Sequence, residues 1–461
     1  MNETTGLRKN TLGLASLVFF VVAAASPLTG VAGGLPVAIF TGQNPGIPLV
    51  YILACLMLML FSVGYLTMSR YVQDAGAFYT YIAKGLGKNW GASASVIALV
   101  AYCSVQMAVV AMLGFFSEQF LSHHFSLAVP WWALSMLFIV LVWVLGIRRV
   151  EVGGKILGVL MLGEVAIVLL TDVMLLLKKP GPLDFSSLHP SALTQGSFAI
   201  VFMFSIASFI GFESTAIYAE ECREPQKTVP RATLCALLII TAFFCFTSFS
   251  LLQAGDFGQL VTLARQDPGN LFFSITRQVV GQWAVETMSV LLITSLFAAA
   301  LAFHNNISRY LFSISRDGLI WQELCRTHPV NGTPHRASHL HSVIFLLLLA
   351  AMGSMALDPV GQIFAFGSAI ATLSILLLQA GVSAAVIAFF RQRSHTYPAW
   401  RVMWAPLLSL LAMAATIMLV AGNLPLLSGS DSPWVQLIPW FIALCAVAGY
   451  LASRRQRLSV A

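Results

Sequence analysis

Charge is what this chain has least of. Of its 461 residues only 9% are Asp, Glu, Lys or Arg, while 58% are hydrophobic. A water-soluble domain carries about 25% charged residues, so an ordinary globular protein is excluded. Low-complexity tracts and long polar linkers are also missing, which leaves no room for a separate soluble domain. The longest polar connections, 178–194, 255–270 and 321–339, are short enough that interfacial helices are expected there. There is no Gly-x4-Gly-Lys-Ser/Thr loop, so the chain does not itself use ATP, and no cofactor is expected. The apolar stretches contain no paired aspartates, no Ser-His pair and no His-Glu-x2-His, which argues against an intramembrane protease and against an enzyme in general.

What is abundant is long apolar runs. A hydrocarbon core of about 30 Å needs roughly 20 such residues per helix. Twelve runs qualify, at 12–41, 48–69, 91–120, 130–147, 155–177, 195–220, 232–253, 284–312, 340–357, 360–390, 402–422 and 433–453. They are numbered spans 1 to 12 below. The 130–147 run is short and the 340–357 run marginal. The first run is too long for a cleavable signal peptide, and a second span follows it at once.

The few basic residues test the topology. With the N-terminus in the cytoplasm, 21 Lys and Arg fall on the inner side, and only Lys178, Lys179, Arg265 and Arg277 fall outside, which accounts for all 25. That asymmetry predicts both ends in the cytoplasm. The formal net charge of +7 then reports membrane orientation, because the basic residues are scattered over short loops instead of gathered on a nucleic-acid-binding face. Seven cysteines are present, none in a predicted outer loop, so no structural disulfide is expected.

Two spans are interrupted. Span 1 carries Ser26-Pro27-Leu28-Thr29-Gly30 and then Gly33-Gly34-Leu35-Pro36; span 6 carries the stretch from Ser205 through Ser208, Phe209, Ile210, Gly211 and Phe212 to Glu213. A break at membrane depth frees backbone groups that lipid cannot satisfy, so it persists only beside a cavity or ligand. Paired breaks in the two halves of a polytopic chain point to a transporter's binding site. A channel would surround its pore with rings of charge, whereas here polarity converges on two breaks in one chain. The offset of five spans, an odd number, predicts an inverted repeat: spans 1–5 (residues 1–177) against spans 6–10 (195–390), with spans 11 and 12 (402–453) outside it.

Three local patterns carry a family resemblance. Asp74-Ala75-Gly76-Ala77-Phe78-Tyr79-Thr80-Tyr81 follows span 2. Phe209-Ile210-Gly211-Phe212-Glu213 is followed by Glu220-Glu221-Cys222-Arg223-Glu224-Pro225 and Val229-Pro230-Arg231-Ala232. Span 8 carries Ala302-Phe303-His304-Asn305-Asn306-Ile307-Ser308-Arg309-Tyr310 and then Ser315-Arg316-Asp317-Gly318. In this order they resemble the amino acid–polyamine–organocation superfamily of secondary transporters. The resemblance implies an all-α membrane protein of twelve helices, a five-plus-five inverted repeat and alternating access around a midplane site between spans 1, 3, 6 and 8. It further implies amino acids, polyamines or other small amines as substrates, taken up with protons or by exchange.

One departure stands out. Many members carry a Gly-Ser-Gly-type break in span 1 whose amides hold a substrate carboxylate, but here Pro27 lacks a donor altogether. The amides from Leu28 to Val31 remain available to a carboxylate at the positive end of the outgoing half-helix. Substrate contacts are therefore assigned to Ser26, Pro27, Leu28, Thr29 and Gly30 in span 1, Gln106 in span 3, and Ser208, Phe209, Gly211, Phe212 and Glu213 in span 6. The departure shifts the expectation towards an amine or an unusual amino acid.

Glu164 lies about 13 Å into span 5 at 1.5 Å per residue, near mid-membrane. Intramembrane acids are costly, so function is the default reading. Several proton-coupled relatives have a lysine at what looks like this position, in place of a sodium ion. Three roles stand for Glu164: proton coupling, a hydrogen bond across the bundle, or sodium ligation. Glu213 either meets a substrate amine or satisfies the amides freed by its break, as the cap of the outgoing half-helix. His304 either relays protons or makes an interhelical hydrogen bond. Sodium sites in this fold draw hydroxyls from span 8, where Phe297-Ala298-Ala299-Ala300 offers none and Thr294-Ser295 stands a turn earlier. His335, His339 and His341 are read as a loop cluster without a complete metal-ligand set. Glu220, Glu221, Glu224, Arg231 and Arg316 are expected to form ion pairs that close an inner gate. The sum is a secondary importer of an amino acid or small amine, driven by protons, with exchange or sodium coupling as the alternatives.

Overall fold

With so little polarity in the side chains, the backbone has to satisfy its own N–H and C=O groups, and the α-helix does this within a single segment. The computed structural model describes residues 10–72, 76–148, 150–428 and 432–460, without the side chains of 150–157 and 455–460. Arg8, Lys9, Asp74, Ala75 and Arg149, and the side chains of Lys155, Arg455 and Arg457, lie outside that description. The described residues contain helices and one isolated parallel bridge, between Leu12 and Cys222.

Among the described residues, ten helices are long and apolar enough to cross a membrane: Leu14–Gly42, Ile47–Ser69, Lys88–Phe125, Gly158–Lys178, Pro225–Leu252, Gln282–Arg316, His335–Ser354, Pro359–Arg391, Trp400–Gly422 and Pro433–Arg454. Two shorter apolar helices, Trp131–Ile147 and Phe198–Ala207, stand where the fourth and sixth runs were read. Every predicted run thus lands on helix. The main boundary differences have one cause, since polar first and last turns continue a helix without raising its hydropathy. Span 8 continues to Arg316, one turn past the expected end at 312. Span 9 begins at His335, directly after Pro334. His335, His339 and His341 therefore sit on a helix, which corrects the loop reading.

Short helices occupy the polar connections as expected. Phe257–Gln266 is capped by Asp256, whose side chain accepts from the Gly258 amide, and Leu271–Val279 follows it. The stretch after span 2 forms Ala77–Leu86, pinned by Tyr79, whose hydroxyl donates to Ser313 Oγ (2.7 Å) and Asp317 Oδ2 (3.0 Å) at the end of span 8. Spans 11 and 12 expose Trp404, Leu408, Leu411, Trp440 and Leu444, an apolar surface suited to lipid.

Both predicted breaks exist, and both are narrower than the sequence suggested. Span 1 runs Leu14–Ala25 and reverses at Ser26 alone (φ 45°, ψ 70°). It resumes at Pro27–Thr29, passes through a π-helical turn at Gly30–Gly34 and continues as Leu35–Gly42. The second predicted interruption, around Gly33 to Pro36, is therefore helical. A π-turn re-spaces the hydrogen-bond ladder around Pro36, which has no N–H to contribute. In span 6 the helix persists to Ala207, so Ser205 is not part of the break, and Ser214–Ile217 follows a non-helical turn at 208–213.

Candidate functional site

The two breaks touch. Gly211 has φ +108°, and a Cβ there would stand 2.8 Å from Ala24 Cβ, just before the Ser26 reversal. Glycine alone tolerates both the dihedral and the approach. Gly211→Ala is expected to cost about 1–3 kcal/mol in backbone strain, read as a lower melting temperature of the detergent-solubilised protein. A melting temperature unchanged within error would show that the close approach is not needed.

Around this contact the polar groups are few and specific. Ser26 Oγ lies 2.7 Å from Thr29 Oγ1 and 2.8 Å from Ser295 Oγ of span 8. Pro27 supplies no donor, and the Gly30 amide turns back to the Ser26 carbonyl (3.1 Å). The Leu28 amide donates to Glu164 Oε1 at 2.5 Å. Glu164 is 2% exposed, and the Ser295 hydroxyl stands beside the same carboxyl. The amide expected to wait for a substrate carboxylate thus already holds one from the chain itself. On span 8 the hydroxyl that meets the break is that of Ser295, one turn before the 297–300 stretch.

In the second break Glu213 is fully buried. Its Oε1 accepts from the Tyr102 hydroxyl (2.9 Å) and its Oε2 from the Gly211 amide (3.1 Å). It does satisfy an amide freed by the break, but one upstream, and it makes no side-chain cap to the helix that follows. Ser208 Oγ donates to the Phe204 carbonyl (3.1 Å) and lies 3.3 Å from the Tyr51 hydroxyl. Phe209 lines an apolar cavity with Leu58, Ile206, Ile210, Thr372, Ile375, Leu376 and Gln379. Phe212 does not line that cavity. It packs edge-on against Phe61 (6.1 Å between centroids) in a buried aromatic cluster with Tyr65 and Phe78.

Gln106 lies one turn beyond Tyr102 on the same face of span 3, fully buried, and neither amide atom has a hydrogen-bond partner among the described residues. Asn306 Nδ2 donates to Ser214 Oγ (2.7 Å), tying span 8 to the resumption of span 6. His304 is not brought to this group. It sits nine residues beyond Ser295, about half a turn round the helix, with Nε2 2.8 Å from Ser338 Oγ and its ring 4.9 Å from that of His341 on span 9.

The acidic run after span 6 forms ion pairs, with two partners, Lys227 and Arg309, unforeseen. Arg316 pairs with Glu220 and Lys227 with Glu224, both at 2.7 Å. Glu221 pairs with Arg309, which donates from Nε (2.5 Å) and Nη2 (3.0 Å) and lies over the Tyr218 ring at 4.5 Å. Arg309 is 1% exposed and is the only buried Arg or Lys among the described residues.

Sequence reasoning passed over Tyr102, Arg309 and Asp172. Asp172 is an acid two turns beyond Glu164, fully buried, with Oδ2 accepting from Thr247 Oγ1 at 2.7 Å. Hydrocarbon penalises an acid at Asp172 as it does at Glu164, and that cost was the signal available.

A family model described as amino acid permease matches residues 17–454. The branched-chain amino acid permease BcaP of Bacillus subtilis (strain 168) is 23% identical over 84% of each chain. The serine/threonine exchanger SteT of the same organism is 22% identical over 60% of this chain and 62% of its own. The low-affinity putrescine importer PlaP of Escherichia coli (strain K12) is 22% identical over 74% of this chain and 75% of its own.

Proposed function

The chain belongs to the amino acid permease family and is a multi-pass membrane protein, and on that premise we propose that it imports an amino acid or small amine by proton symport with alternating access. One observation carries the coupling: a buried carboxyl, Glu164, bonded to the backbone of the span-1 break at Leu28. A carboxyl there exchanges a proton only when the break rearranges, which links protonation to the conformation of the site. The Lys and Arg asymmetry of the loops supports both ends inside, and the bacterial relatives support a bacterial cytoplasmic membrane. Breaks five spans apart support the inverted repeat of spans 1–5 and 6–10.

Substrate binding falls to the two breaks and to Gln106, whose unpartnered amide is fit to meet a polar ligand. Tyr102→Phe removes the hydroxyl that orients Glu213. A hydrogen bond to a charged group contributes about 1.5–3 kcal/mol, so half-saturation is expected to rise roughly 10- to 100-fold. The steady accumulation ratio should not change, because coupling lies at Glu164. Half-saturation unaltered in uptake assays would take Glu213 out of the binding site.

A second reading is sodium symport, favoured by the Ser295 hydroxyl beside the Glu164 carboxyl and the Ser26 hydroxyl bonded to Ser295. Purified protein in liposomes separates these readings. Uptake driven by an imposed pH gradient supports proton symport, and uptake driven only by a sodium gradient supports the second reading. Uptake that ignores both gradients but requires internal substrate makes the protein an exchanger and refutes symport.

A further inference from the structure

We propose that Glu164 is a resident stand-in for a substrate carboxylate, so that the site takes organic ammonium ions without a carboxylate and rejects α-amino acids. This rests on the transport reading above and narrows its substrate.

The helix that resumes at Pro27 runs through α- and π-turns to Gly42, so its start presents the positive end of an aligned stack of peptide dipoles. That end has few donors to offer an anion. Of its first four positions Pro27 has none, the Leu28 amide is held by Glu164 and the Gly30 amide is returned to Ser26, which leaves only the Thr29 amide. The Ser26 hydroxyl is shared between Thr29 and Ser295. An incoming carboxylate would have to displace Glu164 from Leu28 or lie beside it in a site closed to water, where like charges repel strongly.

The rest of the site has the same sign. Glu213 brings a second buried carboxyl, with two donors recorded for a group that has about four acceptor positions. Among the described residues no cation balances them, because their one buried guanidinium, Arg309, is committed to Glu221 in a two-point pair. Two carboxyls, aromatic rings from Tyr102 and Phe209, and the unpartnered Gln106 amide suit an ammonium group on an apolar stem.

The test uses matched pairs that differ only by the carboxylate: ornithine with putrescine, and leucine with 3-methylbutylamine. Binding to the full-length purified protein is read by thermal shift and by counterflow in liposomes. For wild type, at least one amine should bind at least tenfold more tightly than its parent amino acid. Glu164→Ala opens the Leu28 amide and should let the amino acid of that pair bind at least tenfold more tightly than it binds wild type. Glu164→Gln keeps an acceptor on that amide and should leave the amino acid excluded. Amino acids bound as well as their amines by wild type would overturn the inference while leaving the transport reading intact. The wild-type comparison decides this even if the alanine variant does not fold. A broader panel of amino acids and amines producing neither shift nor counterflow would instead overturn the transport reading.

Discussion

Glu164→Gln, reconstituted in liposomes, is expected to bind substrate and exchange it without accumulating it against a gradient. Glutamine is nearly isosteric with glutamate and still offers an oxygen to the Leu28 amide, so the 2.5 Å contact that shapes the break has a replacement. What it cannot do is take up and release a proton. With one proton per substrate and the membrane potential clamped at zero, a pH difference of two units supports an accumulation of about 100-fold, since each tenfold corresponds to about 1.4 kcal/mol. The variant is expected to stop near equal concentrations inside and out. Counterflow, which needs no net proton movement, should persist within about threefold of wild type. A variant that still accumulates substrate under the pH gradient would return Glu164 to the role of a structural hydrogen-bond partner.

The same residue shows how far the sequence could be read. Its depth in span 5 was a matter of counting, and an acid at that depth drew notice because hydrocarbon penalises it. The partner was out of reach, because Leu28 contributes a backbone N–H and an amide carries no signature in the side-chain alphabet. The span-1 break was legible through Pro27, which cannot continue the upstream ladder, whereas its extent was not. Gly33, Gly34 and Pro36 look like breakers, and a single π-turn absorbs them.

Helix ends proved the hardest feature to read. Hydropathy locates the apolar middle of a helix and says nothing about polar turns that extend it, which is how span 8 came to be ended at 312 instead of Arg316 and span 9 begun at 340 instead of His335. The ring of His304 illustrates a different limit. Its place in the apolar run was plain, but which neighbour it faces depends on the rotation of span 8, and that rotation puts it against Ser338 and His341 and away from the breaks. Tyr102 and Asp172 were legible by rules already in use, since one is a helical turn from Gln106 and the other two turns from Glu164.

Arg309→Met is expected to be the most damaging single change to stability. The pair it breaks is buried, and removing one partner leaves a carboxylate with neither water nor a counter-charge, at a typical cost of about 3–5 kcal/mol. Replacing both partners, as in Arg309→Met with Glu221→Met, removes the stranded charge and should recover most of that loss. The double-mutant cycle on detergent melting would then show a large coupling. The pair also joins three elements. Arg309 stands on span 8 and Glu221 ends span 6, while the Glu221 carbonyl accepts from the amides of Thr11 and Leu12 (2.9 and 3.1 Å) at the start of span 1. Opening this end of the bundle must separate those elements, so a weakened pair should populate the open form. Cys222, next to Glu221 and 2% exposed, is a reporter already in place. With Cys222 retained as the single cysteine, maleimide should label the Arg309→Met protein at least tenfold faster than its parent. Equal labelling rates together with a melting temperature close to the parent's would mean that the pair does not hold this end closed. Faster labelling that persists in the double variant would separate the latch from the charge penalty, because the double variant restores stability without restoring the tie.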